Sequence, residues 1–246
     1  MRLALLSDIH SNLEALEAVL ENARDRGVHR YTCLGDLVGY GANPNECIEV
    51  MRSLPKINFI LGNHDAAATW RSSPYIMNKA AADAILWTMD QLTDDNVKFL
   101  KHLPPTVGMG NLLFAHANPY NPLAWRYVNS RKYAARSFNS NNAKLVFIGH
   151  THLPEVINKR GWFQIRFEPC SDNRTLSIGR AGRMIVNCGS IGQPRDKNPA
   201  ACYLIYDTRR ETIEFVRVPY NHERAARKIQ DAGLPGIMAR RLAKGR

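Results

Sequence analysis

Five short apolar runs of strand type each end, without a spacer, on a carboxylate, an amide or an imidazole. Leu5-Leu6-Ser7 runs into Asp8-Ile9-His10, Cys33-Leu34-Gly35 into Asp36, and Ile60-Leu61-Gly62 into Asn63-His64-Asp65. Leu113-Phe114-Ala115 runs into His116, and Phe147-Ile148-Gly149 into His150-Thr151-His152. In open α/β sheets ligands bind beyond the carboxyl ends of the strands, so five such junctions point to one place. Residues i and i+2 of an extended chain face the same way, so Asp8 with His10, and His150 with His152, can each present two donors to it. Five of the eight histidines stand at these junctions, which leaves His29, His102 and His222 as surface residues. Burying several acids and imidazoles without a shared counter-ion is costly. Imidazole nitrogen with carboxylate or amide oxygen, and no thiolate, suits Mn, Fe or Zn.

The elements between these junctions alternate. Leu3 to Ser7 reads as a strand, and Asn12 to Arg26 as an amphipathic helix with apolar residues at Leu13, Leu16, Val19, Leu20 and Ala23. Ser11 and Glu14 are spaced as a capping box, and Gly27 is a stop signal. Tyr31 to Leu34 is a second strand, Asn43-Pro44-Asn45-Glu46 opens a second helix, and Ile57 to Leu61 is a third strand. Helices are expected over Asn78 to Leu92 and Asp94 to His102, then a hairpin of Thr106 to Met109 and Leu112 to Ala115 around Gly110-Asn111. Lys144 to Ile148 is another strand. From Glu155 to Val218 the chain is mostly short β runs (Trp162 to Phe167, Met184 to Asn187, Cys202 to Tyr206, Ile213 to Val218), with helix returning near Asn221. Alternation first and hairpins later predict an α/β fold, a two-layer sandwich of mixed β-sheets flanked by helices. We expect a single domain over residues 1–246 with a basic helical C-terminal segment at about 221–246.

With 246 residues, 45% of them hydrophobic and 22% charged, the chain can bury a full core, and disorder, collagen and coiled coil are ruled out. No apolar stretch approaches the roughly 18 residues that span a bilayer, and the first acid, Asp8, comes too early for a signal sequence. A cytoplasmic protein with no membrane partner is expected. The five cysteines are scattered and are read as reduced core residues. A net charge of +11 favours an anionic partner. Between His222 and Arg246 seven basic residues face two acidic ones, which reads as a solvated helix face; nucleic-acid binding has no supporting fold motif.

The ordered set Asp-x-His, Gly-Asp, Gly-Asn-His-Asp, His and Gly-His-Thr-His, from Asp8 to His152, resembles the calcineurin-like metallophosphoesterase superfamily. Gly35-Asp36-Leu37-Val38-Gly39-Tyr40-Gly41, Pro44-Asn45-Glu46-Cys47 and Gly189-Ser190-Ile191-Gly192-Gln193-Pro194-Arg195-Asp196 look like its small bacterial branch of phosphodiesterases. The resemblance implies the metallophosphoesterase fold and a dinuclear site. Asp8, His10, Asp36 and His152 would hold one divalent ion (Mn, Fe or Zn), and Asp36, Asn63, His116 and His150 the other, with Asp36 bridging. Two divalent ions, two ligand carboxylates and a hydroxide leave a charge of about +1, which attracts phosphate while keeping the nucleophile ionised.

On this reading a hydroxide shared by the ions attacks phosphorus, His64 is the general acid on the leaving oxygen, and Asp65 orients His64. Asn63, His64, Tyr40, Arg195, Trp125 and Arg126 are the candidate substrate-binding residues. Trp70-Arg71 with Tyr75, and Trp125-Arg126-Tyr127, are aromatic-basic stretches that follow metal-ligand loops. Protein phosphatases and symmetrical dinucleotide hydrolases of the superfamily carry an arginine shortly after Gly-Asp, where this chain has Gly39-Tyr40-Gly41, and protein phosphatases place an Asp at the position of Gly39. The expected substrate is an anionic small phosphodiester or nucleotide. The alternatives are a nucleotide phosphatase or dinucleoside polyphosphate hydrolase, and a metal-binding interaction scaffold; a homo-oligomer is the other partner considered.

Overall fold

The structure, a computed structural model, describes residues 1–161, 164–170, 172–179 and 182–246. In chain order its elements are β1 (Arg2–Leu6), α1 (Leu13–Asp25), β2 (Arg30–Cys33), α2 (Pro44–Arg52), β3 (Ile57–Phe59), α3 (Asn63–Ala68), α4 (Lys79–Gln91) and α5 (Asp94–Lys101). There follow β4 (Thr106–Met109), β5 (Leu112–Ala115), α6 (Arg131–Asn139), β6 (Leu145–Ile148), β7 (Pro154–Arg160) and β8 (Gln164–Pro169). The last are β9 (Arg174–Ser177), β10 (Arg183–Cys188), β11 (Ala201–Asp207), β12 (Thr212–Val218), α7 (His222–Asp231) and α8 (Gly236–Leu242).

The strands form two six-stranded mixed sheets, ordered β3-β2-β1-β11-β12-β9 and β4-β5-β6-β10-β7-β8. β1, β2 and β3 run parallel, as do β5, β6 and β10, so their carboxyl ends lie at one edge of each sheet. Alternation along β1 sets the layers. Leu3 and Leu5 face inward onto Phe114, Phe147, Val186, Leu204 and Phe215, a cluster drawn from both sheets, while Ala4 and Leu6 face outward onto α1 and α2. On the other sheet Val146, Ile148 and Ile185 pack under Ala134 and Phe138 of α6. This is the expected sandwich with helices outside.

Local chemistry differs from expectation at two helix starts. The capping box of Ser11 and Glu14 does not form: Asn12 is the cap and its side chain accepts from the Ala15 N–H at 3.1 Å, because Ser11 sits in the left-handed region at φ 53°. Glu14, half inside, pairs instead with Lys228 at 2.6 Å and Arg224 at 3.2 Å of α7. Two of the seven basic residues of the tail are therefore spent within the fold. At α2, Asn43 donates to the Glu46 side chain (2.9 Å) rather than capping the backbone. Helices α3 and α6, and strands β7 and β9, were not among the expected elements. Trp162 and Phe163, where a strand start was expected, lie outside the described residues.

The C-terminal pair α7–α8 lays Ala225, Ile229, Leu234, Met238 and Leu242 against Tyr40 and Ala81. All five cysteines are buried and free. No helix among the described residues is long and apolar enough to cross a membrane. Phe147 stacks on Phe114 between the sheets with ring centroids 5.7 Å apart. Phe147→Ala should cost about 3–5 kcal/mol in urea unfolding with an unchanged m-value, the penalty of a cavity at a site that cannot collapse.

Candidate metal centre

Asp8 and His10 follow β1, Asp36 follows β2, Asn63 opens α3 after β3, His116 follows β5, and His150 and His152 follow β6. All seven side chains meet, across strand ends from both sheets. His10 Nε2 lies 3.2 Å from His152 Nε2, and His152 Nε2 lies 3.2 Å from Asp8 Oδ1. A second group forms beside them: His116 Nε2 is 3.1 Å from Asn63 Oδ1 and 3.2 Å from His150 Nδ1. Asp36 stands between the groups, its Oδ2 at 3.6 Å from His10 Nε2 and 3.3 Å from His116 Nε2. Apart from the half-buried Asn63, all are buried.

The hydrogen bonds behind these donors fix which atoms face inward. A backbone carbonyl can only accept, so a ring nitrogen touching one carries the proton. Val38 O takes His10 Nδ1 (3.1 Å), Leu34 O takes His116 Nδ1 (2.9 Å), Gln193 O takes His152 Nδ1 (2.6 Å) and Trp125 O takes His150 Nε2 (2.8 Å). Each ring therefore turns a lone pair to the centre, the arrangement that backing acceptors impose on metal-binding histidines. The carboxylates are oriented in the same way. Asp8 Oδ2 accepts from Ser7 Oγ (2.5 Å), the His150 N–H is shared between Asp8 Oδ2 (3.0 Å) and Oδ1 (3.2 Å), and Asp36 Oδ1 accepts from His64 N–H (2.8 Å), so that Asp8 Oδ1 faces His152 and Asp36 Oδ2 faces His10 and His116. Lone pairs converging within about 3.5 Å repel unless a cation lies among them. This donor set fits divalent ions.

Titration agrees with that demand for positive charge. Burial opposes protonation of His116, yet Asp36 beside it outweighs burial and raises the ring to about 9. Burial would raise Asp36, but His116 and His64 overcome it and hold the carboxyl well below its ordinary range. Asp8 is also lowered, with His152 overcoming burial. Burial lowers His10 and His152, and takes His150 down to about 3 and His64 to about 4. His10, His150 and His152 thus stay neutral, as ligands must, whereas His116 has to release its proton when an ion binds.

Asp65 does not orient His64. Its Oδ2 accepts from Asp36 N–H (2.9 Å) and Gly62 N–H (3.0 Å), its Oδ1 from Val38 N–H (3.2 Å), and His64 Nδ1 is buried with no partner at all. The reason is steric and local: Asp65 lies at the third position of α3 and reaches back to its start, while His64 points across to Gly39. A Cβ on Gly39 would fall inside contact distance of His64 Nδ1.

Above the donors lies a cavity of about 250 Å³, on the scale of small-molecule sites. Asp36, Asn63, His64, His150 and His152 form its floor, and Tyr40, Arg195, Trp125 and Tyr127 stand in its wall with Ile76 and Met77. The Tyr40 ring lies 4.4 Å from both His10 and His64. Arg195 donates to Gln193 Oε1 (3.2 Å) and Tyr40 OH (3.4 Å), and its Nε is buried without a partner. Arg126 is exposed and outside the wall; Tyr127 takes that place, its ring stacked on His150 at 4.4 Å. Arg71 is tied to the carbonyls of Lys101 and Leu103, and serves as a loop anchor. His29 and His102 are exposed and His222 half-buried, none near the centre.

Comparison with known proteins agrees with the fold and site. The model of the calcineurin-like phosphoesterase superfamily domain matches residues 1–211. A protein of Methanocaldococcus jannaschii is 40% identical over 248 residues, covering 99% of this chain and 98% of its own. The crystal structure of a metallophosphoesterase from Sphaerobacter thermophilus is similar with a TM-score of 0.89 at 36% identity, covering 100% of this chain and 99% of that one. That of a hypothetical protein from Pyrococcus horikoshii has the same fold, with a TM-score of 0.78 at 20% identity, covering 100% and 98%. The fold and site are those of a metal-dependent phosphoric ester hydrolase. The chain belongs to the calcineurin-like phosphoesterase superfamily.

Because Asp65 satisfies three buried N–H groups of the loops that carry Asp36 and Asn63, Asp65→Ala should lower unfolding free energy by about 2–5 kcal/mol. Isothermal titration should show weaker divalent-ion binding in the same variant, although Asp65 ligates nothing.

Proposed function

We propose that this chain hydrolyses phosphoesters, diesters ahead of monoesters, with two divalent ions (Mn, Fe or Zn) held by Asp8, His10, Asp36 and His152 and by Asp36, Asn63, His116 and His150. The observation that carries this reading is the place of Asp36 Oδ2, within 3.6 Å of the inner nitrogen of one donor group and 3.3 Å of the other. Bound there, the ions would supply Lewis-acid polarisation of the phosphoryl group and acidify the attacking water.

The chain's own residues bind the ester and handle the proton. Asn63 and Arg195 offer hydrogen-bond donors to phosphoryl oxygens, and Tyr40 holds the Arg195 guanidinium at the cavity wall. His64 hands a proton to the departing oxygen. Three observations support its role: the ring lines the cavity, its backbone N–H is fixed by Asp36, and Tyr40 and His10 pack edge-on against it. Burial makes the ring hard to protonate in the empty cavity, and a bound phosphoester anion restores that proton by stabilising the imidazolium. A scaffold that only held ions would need the same oriented donors, but not the His64 ring and the Arg195 guanidinium facing the cavity beside them.

Two variants test the assignment. Asp36→Asn should lose ions from both groups, read as a fall of metal content from about two per chain towards none; full metal content with full activity would overturn the bridge. His64→Ala should keep its metal and lose about 10²–10⁴-fold in kcat on alkyl esters, but far less on p-nitrophenolate esters, whose leaving group needs no proton.

A further inference from the structure

Residues 222–246 add no strand to either sheet and supply none of the seven donors. They nevertheless meet the cavity wall at the residue that carries its charge. Among the described residues Arg195 is the one Lys or Arg in the cavity lining. Its own side-chain bonds hold it weakly. One terminal nitrogen donates to Gln193 Oε1 at 3.2 Å and to Tyr40 OH at 3.4 Å, both neutral acceptors at the long end of the range, and Nε has no partner. A side chain with the rotamer freedom of arginine is not fixed by two such bonds. The place of its charge therefore follows whatever fixes Gln193, Tyr40 and the backbone of residues 193–198.

The C-terminal segment backs each of these three. Gln193 Nε2 donates to Met238 Sδ of α8 at 3.8 Å. A thioether sulfur can only accept, so the amide turns its nitrogen to Met238 and its oxygen to Arg195. Tyr40 is packed in one cluster with Ile229, Leu234 and Met238. The loop itself is tied beyond α8, where the Lys197 N–H donates to Gly245 O at 2.8 Å. Only glycine fits there: φ is 58°, and a Cβ would stand 2.6 Å from backbone atoms of Asn198. On its other side the loop is pinned to the sandwich by the Arg195 N–H on His152 O (3.2 Å) and by the buried pair of Asp196 with Arg217.

We infer that the C-terminal segment is a working part of the anion site, with Met238 and Gly245 as positioning residues that act through Gln193, Tyr40 and Lys197 to set where the Arg195 guanidinium stands. Neither residue lines the cavity. The inference rests on the phosphoester reading for the identity of the anion and adds to it the residues that aim its arginine. Gly233, between α7 and α8, supplies the matched control. Its φ is 69° and its Cβ would meet nothing within 4 Å, so alanine there carries the same backbone penalty without touching the loop.

The test is a double-mutant cycle on Mn-loaded protein, with bis(p-nitrophenyl) phosphate as substrate and inorganic phosphate as calorimetric ligand. Arg195→Ala should raise KM and the phosphate Kd by about tenfold, the scale of a charged hydrogen bond. Gly245→Ala and Met238→Ala should each raise both several-fold, with kcat little changed and Mn content kept. Gly233→Ala should leave both at the wild-type value. In the Arg195→Ala background Gly245→Ala and Met238→Ala should add nothing, because residues that act through one group share its energy. Should Met238→Ala fail to fold, the Gly245→Ala cycle decides alone. Wild-type KM and phosphate affinity in Gly245→Ala, or an equal effect of that substitution with and without Arg195, would overturn the inference. Loss of Mn from Gly245→Ala would place its action at His152, through Gln193 O, and would also overturn it. Wild-type protein that binds phosphate but releases nitrophenolate from no ester would overturn the phosphoester reading, and the cycle would still be read in phosphate affinity. Wild-type protein that binds no phosphate would overturn the inference.

Discussion

The structure turns on one buried carboxylate held between two sets of imidazoles. Asp36 cannot sit at the meeting point of two sheets as an isolated anion, because desolvation of a charge far exceeds what packing returns. Its backbone N–H is therefore fixed by Asp65, one oxygen by His64 N–H, and the other faces His10 and His116. The same logic extends outward. Each histidine of the cage is backed by a main-chain carbonyl, so residues that ligate nothing themselves, Val38, Leu34, Gln193 and Trp125, still decide which nitrogen looks inward.

Such convergence is bought with backbone strain. Asp8, His10, Asp36, His150 and His152 all have φ between 51° and 69°, a region that costs ordinary L-residues energy and persists only where surroundings over-determine it. The surroundings here are the strands: β1 is paired on both sides, to β2 and β11, and β6 to β5 and β10, so the chain leaves each strand from a fixed point. Gly149 adds a steric condition, because a Cβ there would strike Ser7 and Asp8. Rigid sheet edges let these three loops be sharply bent without losing register.

Electrostatics and the cavity wall divide the work of recognition. The chain carries a net charge of +11, which draws anions from solution, yet among the described residues one arginine, Arg195, lines the cavity. Long-range attraction is thus unspecific, and selection falls to the wall formed by Tyr127, Trp125, Ile76, Met77, Tyr40 and Arg195. The C-terminal helices enter this picture from behind. By packing on Tyr40 and Ala81, and by placing Met238 Sδ 3.8 Å from Gln193 Nε2, α7–α8 back the wall that holds Arg195.

Much of this was legible in the residues. Apolar runs ending on Asp, Asn or His announced both the strands and the ligands, because a strand's period and its end are written locally. The Gly110-Asn111 hairpin and the helices α1, α2, α4 and α5 followed from short-range rules for the same reason. Helix α3 was hidden because its six residues begin inside the ligand motif, and α6 because its apolar face is only a few residues wide. The partner of Asp65, the exclusion of Arg126 and the place of Tyr127 depended on which loops meet, and no spacing along the chain encodes that. The sequence by itself determined the donor types and the element that delivers each one. Only the tertiary structure decided that Asp36 lies between two groups, which nitrogen of each ring faces inward, and that Tyr127 stacks on His150, since these are distances between segments brought together by burying two sheets against each other.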